Sequence, residues 1–384
     1  MKKILHLILA CFYKEGFGYQ ENILPAKHVQ LGYDTYILTN HKTPGYENPK
    51  YINRDGVHVT ILEDNNSLCA RIPLLSLMCR RTKGLYEKIE ETAPDIIFIH
   101  GLQSIDNLDV YKYKKNNPNV EVYVDQHGDY YNMPVKSFKD KIIQKVHYKR
   151  IAKRLERISE KMWGVTPRRV DYLQKVYGIS PSKTGLLVMG GDEKLIDWNN
   201  RANIRKTIRE KHNIPDDAFL IITGGKIDKA KNIHILMETF NALNKDNTRL
   251  FVFGNYTNEM EELCRTLLND KIINLGWLDS KDVYPLFLAS DLAVFPGTHS
   301  VLWEQVCAAG LPAIFKDWNG GMSHVDVGGN CILMKDISTV SLKDTLLHII
   351  NDKQVFVKMR DIAENEARKT FSYIEIAKKA IGIN

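Results

Sequence analysis

The chain has 384 residues, of which 44% are hydrophobic, 26% charged and 9% aromatic, and its formal net charge at pH 7 is +7. This composition excludes a largely disordered or collagen-like protein, and the length favours two domains over a single hydrophobic core. The six cysteines are scattered, without a C-x-x-C pair or a zinc-binding spacing, which predicts buried reduced thiols in a cytosolic protein.

The first apolar run, MKKILHLILACFYK, allows two interpretations. Its two lysines, its apolar residues and the pair Ala10-Cys11 are similar to a bacterial lipoprotein signal. The run is short and interrupted by His6, however, and it also fits the first strand of an α/β fold. We favour the strand, followed by a loop in which Gly16 and Gly18 let the backbone approach a phosphate or a hydroxyl group of a ligand. Elsewhere no window approaches the roughly 18 apolar residues of a membrane span.

Short apolar segments alternate with helical patterns, which predicts parallel sheets connected by crossover helices. In the first half, strands are expected at 4–10, 35–39, 57–62, 95–100, 120–125, 161–165 and 185–189. The alternation breaks around 190–203 and resumes with strands at 219–223, 250–254, 272–275, 292–295 and 313–315, so a second α/β domain is expected. Helical patterns at 342–351, 354–369 and 373–380 complete the chain. Ligands of such open sheets bind at the carboxyl ends of the strands, and two facing domains would form a cleft there.

A strongly basic helix is predicted over 136–161. Its apolar stripe at helical spacing consists of Ile142, Val146, Ile151, Leu155 and Ile158, and lysines and arginines fill the other face. A solvated surface helix is the ordinary interpretation. Contact with an anionic membrane surface is the alternative, and binding to nucleic acid ranks below both because no recognised nucleic-acid module accompanies the charge.

Two histidines follow buried strands in the first half. His100 ends the segment IIFIH, and His127 lies in VDQHGDYYN, in both cases near the carboxyl end of an expected strand. A turn or core histidine is the structural interpretation of each. Position at a strand end is also where a ligand of this fold class binds, so both remain candidates.

The segment GGKIDKAKNIHILMETF follows the strand at 219–223. Gly224 and Gly225 permit close backbone approach, Lys226 and Lys231 supply positive charge, and the helix that follows has an apolar core face. The segment lacks the Walker pattern G-x-x-x-x-G-K-[ST]. Surface exposure explains many such lysines, but two of them near a diphosphate would stabilise it as a leaving group.

The segment FPGTHSVLWEQVCAAGLP, at 295–312, places one carboxylate inside an apolar helix. Ser300 is a suitable N-cap, and Gly310 is a stop signal, so a helix of roughly ten residues is expected from Val301. Glu304 lies one residue too far from Ser300 for a capping box. Free N–H groups at the helix start suit a phosphate, and Glu304 one turn further on suits a ribose hydroxyl. Together these features predict a site for a nucleotide diphosphate.

These two segments, together with INLGWLDSKDVYPLFLASDLAVFP, resemble the retaining glycosyltransferases of family 4 (glycosyl transferases group 1), which have the two-domain GT-B fold. The segments EGFGYQENILPAKHVQLGYDTYILT and WGVTPRRVDYLQKVYGISPSKTGLLVMGGD extend the resemblance over almost the whole chain. It implies a Rossmann-like acceptor-binding domain at 1–195 and a Rossmann-like nucleotide-sugar domain at 196–370. It also implies that the last helix, at 371–384, packs on the first domain.

The resemblance assigns roles to individual residues. Lys226 and Lys231 match the family's phosphate-binding cations, and EQVCAAGLP matches the second half of the E-x7-E motif, which gives Glu304 the ribose-binding role. His127 matches a histidine that often contacts the donor sugar near the reaction centre. Trp277 is assigned either to the base pocket or to the core.

The first half of the E-x7-E motif departs from the family. Where the family often has EGFG this chain has GTHS, and Pro296 stands in place of the first glutamate. Thr298 or His299 is expected to replace its sugar contact. Backbone N–H groups of residues 299–302, which are His299, Ser300, Val301 and Leu302, are expected to hold the diphosphate.

The expected activity is therefore hexosyl transfer from a nucleotide-diphosphate sugar to a hydroxyl acceptor, with retention at the anomeric carbon. No cofactor or metal is expected, since no convincing Asp-x-Asp arrangement is present. The basic helix suggests a lipid-linked glycan acceptor in bacterial surface polysaccharide biosynthesis, on the cytoplasmic face of the membrane. A sugar-nucleotide 2-epimerase of the same architecture and a non-catalytic nucleotide-sugar-binding protein remain alternatives. A nicotinamide enzyme is disfavoured because Glu21 stands where G-x-G-x-x-G needs its third glycine.

Overall fold

The computed structural model describes residues 1–40, 48–65 and 81–383. The chain divides into an N-terminal unit, Met1–Val188 with Ile376–Asn384, and a C-terminal unit, Met189–Glu375. The division thus falls slightly before the boundary at 195/196 that the sequence suggested. Two of the six cysteines, Cys69 and Cys79, lie outside the described residues, and the four described cysteines are free thiols.

The N-terminal unit is built on a mostly parallel sheet. Its strands are β1 (Lys3–Ile8), β2 (Asp34–Thr39), β3 (Lys50–Ile52), β4 (His58–Ile61), β5 (Asp64–Asn65), β6 (Arg81–Thr82), β7 (Ile96–His100), β8 (Glu121–Gln126), β9 (Lys161–Gly164) and β10 (Thr184–Leu186). Eight of them form one sheet in the order β10-β9-β8-β7-β1-β2-β4-β3, in which only β3 runs antiparallel to its neighbour. β5 and β6 pair separately. Because β1 pairs with both β2 and β7 in the middle of the sheet, the strand interpretation of the first apolar run is confirmed.

Helices connect most strands of this sheet, as expected for parallel neighbours. They are α1 (Gln20–Gln30), α2 (Leu85–Thr92), α3 (Asn107–Asn116), α4 (Phe138–Lys141), α5 (Lys149–Glu156) and α6 (Pro167–Lys175). All five residues of β7 are buried, which is typical of a central parallel strand. The seven strands expected in this half all appear, and the short strands β3, β5 and β6 are additional.

The structure differs from the predicted basic helix in which of its side chains are buried. Ile142–Tyr148, between α4 and α5, is a π-helix, whose wider turn rotates the side chains that follow relative to an α-helix. Ile143 and Tyr148 are therefore buried, while Ile142 and Val146 are 37% and 41% exposed. The predicted apolar stripe is wrong at Ile142 and Val146 and correct at Ile151 and Leu155, which are buried in α5.

The C-terminal unit has a fully parallel six-stranded sheet in the order β13-β12-β11-β14-β15-β16. Its strands are β11 (Phe219–Gly224), β12 (Thr248–Phe253), β13 (Ile272–Gly276), β14 (Leu292–Phe295), β15 (Ala313–Lys316) and β16 (Cys331–Met334). The longer helices around it are α7 (Arg201–Lys211), α8 (Ile233–Leu243), α9 (Asn258–Leu267), α10 (Ser280–Ala289), α11 (Leu302–Ala308), α12 (Thr339–Asn351) and α13 (Lys353–Ile362). The prediction of a second α/β domain is confirmed, and the sequence reading missed only β16 among its strands.

After α13 the chain continues through a π-helical segment, Ala363–Ala367, a short helix, α14 (Arg368–Thr370), and the final helix, α15 (Tyr373–Ala380). The second half of α15 belongs to the N-terminal unit. There the carbonyl oxygen of Ala377 accepts a hydrogen bond from His28 at 2.9 Å, and that of Ala380 accepts one from Trp163 at 3.0 Å. The expected return of the last helix to the first domain is thereby confirmed.

Candidate functional site

The candidate site of the C-terminal unit lies where the strand order of its sheet reverses. β12 and β13 follow β11 on one side, while β14, β15 and β16 continue on the other. The loops after β11 and β14 therefore emerge side by side at the carboxyl ends of neighbouring strands. Open α/β sheets bind their ligands at this kind of topological switch point. The first loop carries Lys226 and Lys231, and the second carries Thr298, His299 and Ser300.

Hydrogen bonds join these two loops directly. Lys231 Nζ donates to the carbonyl oxygen of Thr298 at 2.7 Å and lies 3.2 Å from that of His299. The backbone N–H of Thr298 donates in return to the carbonyl of Ala230 at 3.0 Å. Burial lowers the pKa of the Lys231 ammonium, and the negative charge of Asp228 opposes that effect. The loops after β11 and β14, which are distant in sequence, are thus joined by hydrogen bonds around the partly buried ammonium group of Lys231.

Gly297 makes this approach possible. A Cβ atom on Gly297 would lie only 2.3 Å from the backbone Cα, carbon and oxygen atoms of Lys231, so no other residue fits without moving the loop. The side chain of Asn232 donates to the carbonyl of Pro296 at 3.1 Å and supports the same contact. Asn232 has a left-handed φ of 55°, a conformation that asparagine tolerates better than most residues.

Glu304 is the centre of a buried cluster with two histidines. His299 Nε2 lies 2.8 Å from Glu304 Oε1 and 3.1 Å from Oε2, and His324 Nε2 lies 2.8 Å from Oε1. The carboxylate is fully buried, and the His299 and His324 side chains are 11% and 1% exposed. Burial alone would raise the pKa of Glu304, but the two histidines lower it to about 2. The carboxylate is ionised at neutral pH and faces two imidazole donors.

This cluster gives the protein a specific dependence on acid. Because the pKa of Glu304 is lower in the folded chain than the usual 4.5, ionised Glu304 stabilises the fold above pH 4.5, and this stabilisation disappears as the pH falls through about 2. The full shift corresponds to roughly 3 kcal/mol. We expect Glu304→Gln to lower the free energy of unfolding at pH 7, with the difference from wild type shrinking as the pH approaches 2. Denaturant titrations at pH 7, 5 and 3 measure this, and a difference that does not change with pH would contradict it.

The helix that carries Glu304 differs in detail from the prediction. α11 contains seven residues rather than about ten, its N-cap is Val301, and no side chain caps it. Ser300 instead contributes its carbonyl oxygen, which accepts from the N–H of Trp303 at 3.0 Å. The Ser300 cap is therefore wrong, because the chain enters the helical conformation one residue later. The stop at Gly310 is confirmed by its left-handed φ of 66°.

The remaining candidates of this unit are more open. Lys226 is exposed beside the two glycines that follow β11. Trp277, after β13, is 66% exposed, which excludes the core assignment and leaves the base-pocket assignment as a prediction. Val301 and Leu302, at the start of α11, are half-buried. The structure brings Lys231, Thr298, His299 and Glu304 together through the contacts above, and no described contact joins Lys226 or Trp277 to them.

In the N-terminal unit, His127 follows β8 and faces two carboxylates. Its Nε2 lies 3.2 Å from Asp125 Oδ2 and 3.9 Å from Glu21 Oε1, and its side chain is 23% exposed. Of the glycines in the loop after β1, Gly16 is exposed with a left-handed φ of 81°, and Gly18 is half-buried. The role of His127 toward a donor sugar and that of the glycine loop stay predictions.

Three groups of side chains bring possible metal ligands within 4.8 Å of one another in the described part of the chain. They are Cys11 with Glu21 and His127, His100 with Asp125 and His127, and His299 with Glu304 and His324. In the last group the nitrogen and oxygen atoms are 2.8 Å apart. Ligands about 2.0–2.1 Å from a tetrahedral metal lie further apart, at about 3.3 Å. Hydrogen bonding therefore accounts for that cluster, and the expectation that no metal is needed stays a prediction.

A protein-family model matches part of the chain. Residues 204–370 match the family model described as Glycosyl transferases group 1. The matched region contains Lys226, Lys231, Trp277 and the whole of the His299–Glu304–His324 cluster. Among proteins of curated function, none matches the sequence.

Solved structures resemble the chain over its entire length. Alr3699/HepE from Anabaena, in complex with UDP, has a TM-score of 0.70 at 15% identity, with 98% of each chain covered. WaaG, a glycosyltransferase involved in lipopolysaccharide biosynthesis, has a TM-score of 0.64 at 16% identity, covering 99% of this chain and 100% of WaaG. A putative UDP-N-acetylglucosamine 2-epimerase from Listeria monocytogenes has a TM-score of 0.60 at 13% identity, with 99% and 95% covered. At these identities the likeness establishes the fold, which is the α/β two-domain GT-B fold.

Proposed function

We propose that this protein is a retaining glycosyltransferase that moves a sugar from a nucleotide-diphosphate sugar to a hydroxyl acceptor. The observation that supports this most strongly is the direct link from Lys231 through the 298–299 loop to Glu304. A cation suited to a diphosphate and a carboxylate suited to a ribose diol meet at the switch point of one sheet. That sheet lies in the region that matches the glycosyl transferases group 1 model.

In this mechanism the C-terminal unit binds the donor. Lys231 and Lys226 neutralise the charge that develops on the departing diphosphate, and electrostatic stabilisation of that charge supplies most of the acceleration. In a same-face reaction the leaving phosphate oxygen takes the proton of the acceptor hydroxyl, so no separate protein base is required. The reaction then needs neither a metal nor a cofactor.

Glu304 is fully buried and hydrogen-bonded to two histidines, so ribose binding requires one change in the cluster. An ionised carboxylate offers about four acceptor positions, and His324 and His299 occupy part of them. His299 is the more exposed of the two partners. We infer that the ribose hydroxyls take the place of the His299 contact, while His324 continues to hold the carboxylate in position.

A thermal-shift screen tests donor binding. UDP-, GDP- and ADP-sugars are compared at equal concentrations, and a bound donor raises the melting temperature because it binds only the native state. The expected result is a rise with one nucleotide series, and UDP-sugars come first since the HepE structure holds UDP. A ligand at 100 times its Kd stabilises by about 2.7 kcal/mol, which is readily measured. Melting temperatures unchanged by all three series would contradict the proposed donor class.

A sugar-nucleotide 2-epimerase is the second candidate, because the Listeria epimerase shares the fold. An epimerase forms the epimeric sugar nucleotide without any acceptor, whereas a transferase releases free nucleoside diphosphate only as an acceptor is glycosylated or as the donor is slowly hydrolysed. Product analysis by NMR after incubation with the donor alone separates the two. A nucleotide-sugar-binding protein without activity would yield neither product.

We further propose a lipid-linked glycan acceptor, used in polysaccharide synthesis at the cytoplasmic face of a membrane. The basic surface formed by Lys145, Val146, Lys149, Arg150, Lys153, Arg154 and Arg157 supports this, because it combines cationic side chains with an exposed valine. No helix in the described residues has the length and apolar character needed to cross a membrane. The mode that we propose is binding at the membrane surface, through these basic side chains.

Liposome flotation tests the membrane proposal. We expect the protein to float with vesicles containing anionic lipid at low salt and to be released at high salt, since each basic side chain near such a surface contributes about 1 kcal/mol. The triple variant Lys145→Glu, Arg150→Glu, Arg154→Glu should lose binding. A triple variant with the same charge change in the C-terminal unit, Lys335→Glu, Lys358→Glu, Lys369→Glu, is the control. Equal flotation of the two variants would contradict the proposed surface.

A further inference from the structure

A chain of buried imidazoles runs through the core of the N-terminal unit, and the proposed function does not use it. His28 Nε2 donates to the carbonyl oxygen of Ala377 at 2.9 Å. His28 Nδ1 lies 3.0 Å from His6 Nε2, and His6 Nδ1 lies 2.9 Å from His100 Nε2. All three histidines are fully buried. The three imidazoles thus connect the last helix with the carboxyl end of β7.

Counting protons along this chain fixes the direction of its hydrogen bonds. A carbonyl oxygen only accepts, so His28 carries a proton on Nε2 and, when neutral, accepts at Nδ1. Burial, assisted by the neighbouring histidines, lowers the pKa of His6 well below its ordinary value, and burial lowers the pKa of His28 to about 4. Both imidazoles are therefore neutral. His6 Nε2 donates to His28 Nδ1, and His28 Nε2 donates to the carbonyl oxygen of Ala377. His100 must then donate from Nε2 to His6.

The second nitrogen of His100 faces a carboxylate. His100 Nδ1 lies 3.2 Å from Asp125 Oδ2, and both residues are fully buried. Neither atom has a well-aligned hydrogen-bond partner among the described residues, so this contact is electrostatic. Although burial alone would raise the pKa of Asp125, His127 and His100 lower it, so Asp125 is ionised. The three hydrogen bonds of the chain use one proton from each histidine.

Asp125 lies between this chain and His127. Its Oδ1 accepts the backbone N–H of Gly101 at 2.9 Å, and its Oδ2 is 3.2 Å from both His100 Nδ1 and His127 Nε2. Burial alone would raise the pKa of Asp125, but His127 and His100 hold it well below its usual range. Among residues 1–40, 48–65 and 81–383, Oδ2 has no well-aligned hydrogen-bond donor, so both contacts are ion pairs by distance.

We propose that Asp125 is a positioning residue for His127: it keeps His127 Nε2 protonated and turned inward, which leaves Nδ1 as the nitrogen for a ligand. His100, which is hydrogen-bonded to His6 and through it to His28, helps to keep Asp125 ionised for this task. The proposal deepens the proposed function, on which it rests, because His127 is the residue predicted to contact the donor sugar. With Nε2 held by carboxylates, protonated His127 offers an Nδ1–H donor, and neutral His127 offers an Nδ1 acceptor.

Several titratable or charged groups lie near His127 besides Asp125. Glu21 of α1 lies 3.9 Å from its Nε2, Cys11 lies in the same group of side chains, and the guanidinium of Arg169 on α6 contributes a positive charge. Burial by itself would lower the pKa of His127, but Asp125 and then Glu21 raise it above its ordinary value, against a smaller opposing effect of Arg169. Asp125 is the nearest of the carboxylates, and its removal should have the largest effect.

The test is a histidine titration by NMR on the ligand-free protein, with ring-labelled histidine and His127→Gln to assign the signal. Asp125→Asn should lower the midpoint of the His127 titration by about one to three pH units, as expected for loss of an opposite charge within 4–6 Å. Asp34→Asn, which removes a carboxylate at the amino end of β2, should leave the midpoint unchanged. An unchanged midpoint in folded Asp125→Asn overturns the proposal.

A second measurement needs no variant at Asp125. Above the midpoint, 15N shifts of wild-type His127 should show the tautomer with its proton on Nε2, and a proton on Nδ1 overturns the proposal even if Asp125→Asn does not fold. Neither the titration midpoint nor the tautomer of His127 depends on sugar transfer. If the protein had no transferase activity, the proposed function would be contradicted, but both NMR measurements could still be interpreted. If transfer is present, the pH profile of kcat/KM for Asp125→Asn should move by the same amount as the NMR midpoint.

Discussion

Replacing Lys231 with methionine is expected to reduce sugar transfer by about two to three orders of magnitude, the cost of removing one preorganised donor to a developing charge. Methionine keeps most of the aliphatic length and removes the ammonium. Two effects combine in this variant: the cation next to the proposed diphosphate disappears, and the carbonyls of Thr298 and His299 lose their donor. Steady-state kinetics with the donor found by thermal shift measures the result.

Lys229 provides the matched control for this experiment. It lies in the same short turn, two positions before Lys231, and it is exposed. Lys229→Met should retain wild-type turnover, and both variants should retain the wild-type circular dichroism spectrum. If folded Lys231→Met turned over donor at the wild-type rate, the assignment of Lys231 to the leaving diphosphate would be wrong.

Glu304→Gln should weaken donor binding by about 10- to 100-fold, because hydrogen bonds to a charged group contribute about 1.5–3 kcal/mol and the amide keeps only part of that interaction. The substitution preserves shape, so it separates the charge from the packing of α11. Isothermal titration with the donor measures Kd. An affinity equal to that of the wild type would remove Glu304 from the ribose contact.

The control for Glu304 is Glu262→Gln. Glu262 is an exposed acid on α9, so the same change of charge occurs away from the cluster. Its Kd should match the wild type. A further comparison, His324→Gln, tests whether the second histidine holds the carboxylate: a loss of affinity between those of the wild type and Glu304→Gln is expected.

Most of the architecture was predictable because buried parallel strands are continuous apolar runs. The run IIFIH and the strand LAVF of β14 can be recognised from their letters alone. The strand β16 was missed since CILM is short and follows a glycine-rich stretch without a strong strand signal. The exposure of Val146 could not be predicted either, because a π-helical turn depends on tertiary packing and has no spacing rule in the sequence.

The site was predictable in its parts and less so in its connections. Sequence motifs identified Lys231 and Glu304, but not that Glu304 would be fully buried between His299 and His324. His324 lies in a short 3-10 turn after β15, and its one available signal was its position beyond a strand adjacent to β14. Asp125 was likewise overlooked, since a strand-end carboxylate becomes notable only when the imidazoles on both sides of it are seen.

The close contact between Gly297 and the backbone of Lys231 has a practical meaning for anyone who wishes to alter donor preference by exchanging segments with a homologous enzyme. If only the loop around Gly297 or only the turn around Lys231 were exchanged, it would contact a segment from the other protein. The space between the two backbones has no room for an additional atom at Gly297. The loop around Gly297 and the turn around Lys231 should therefore be exchanged together, and Gly297 should be retained.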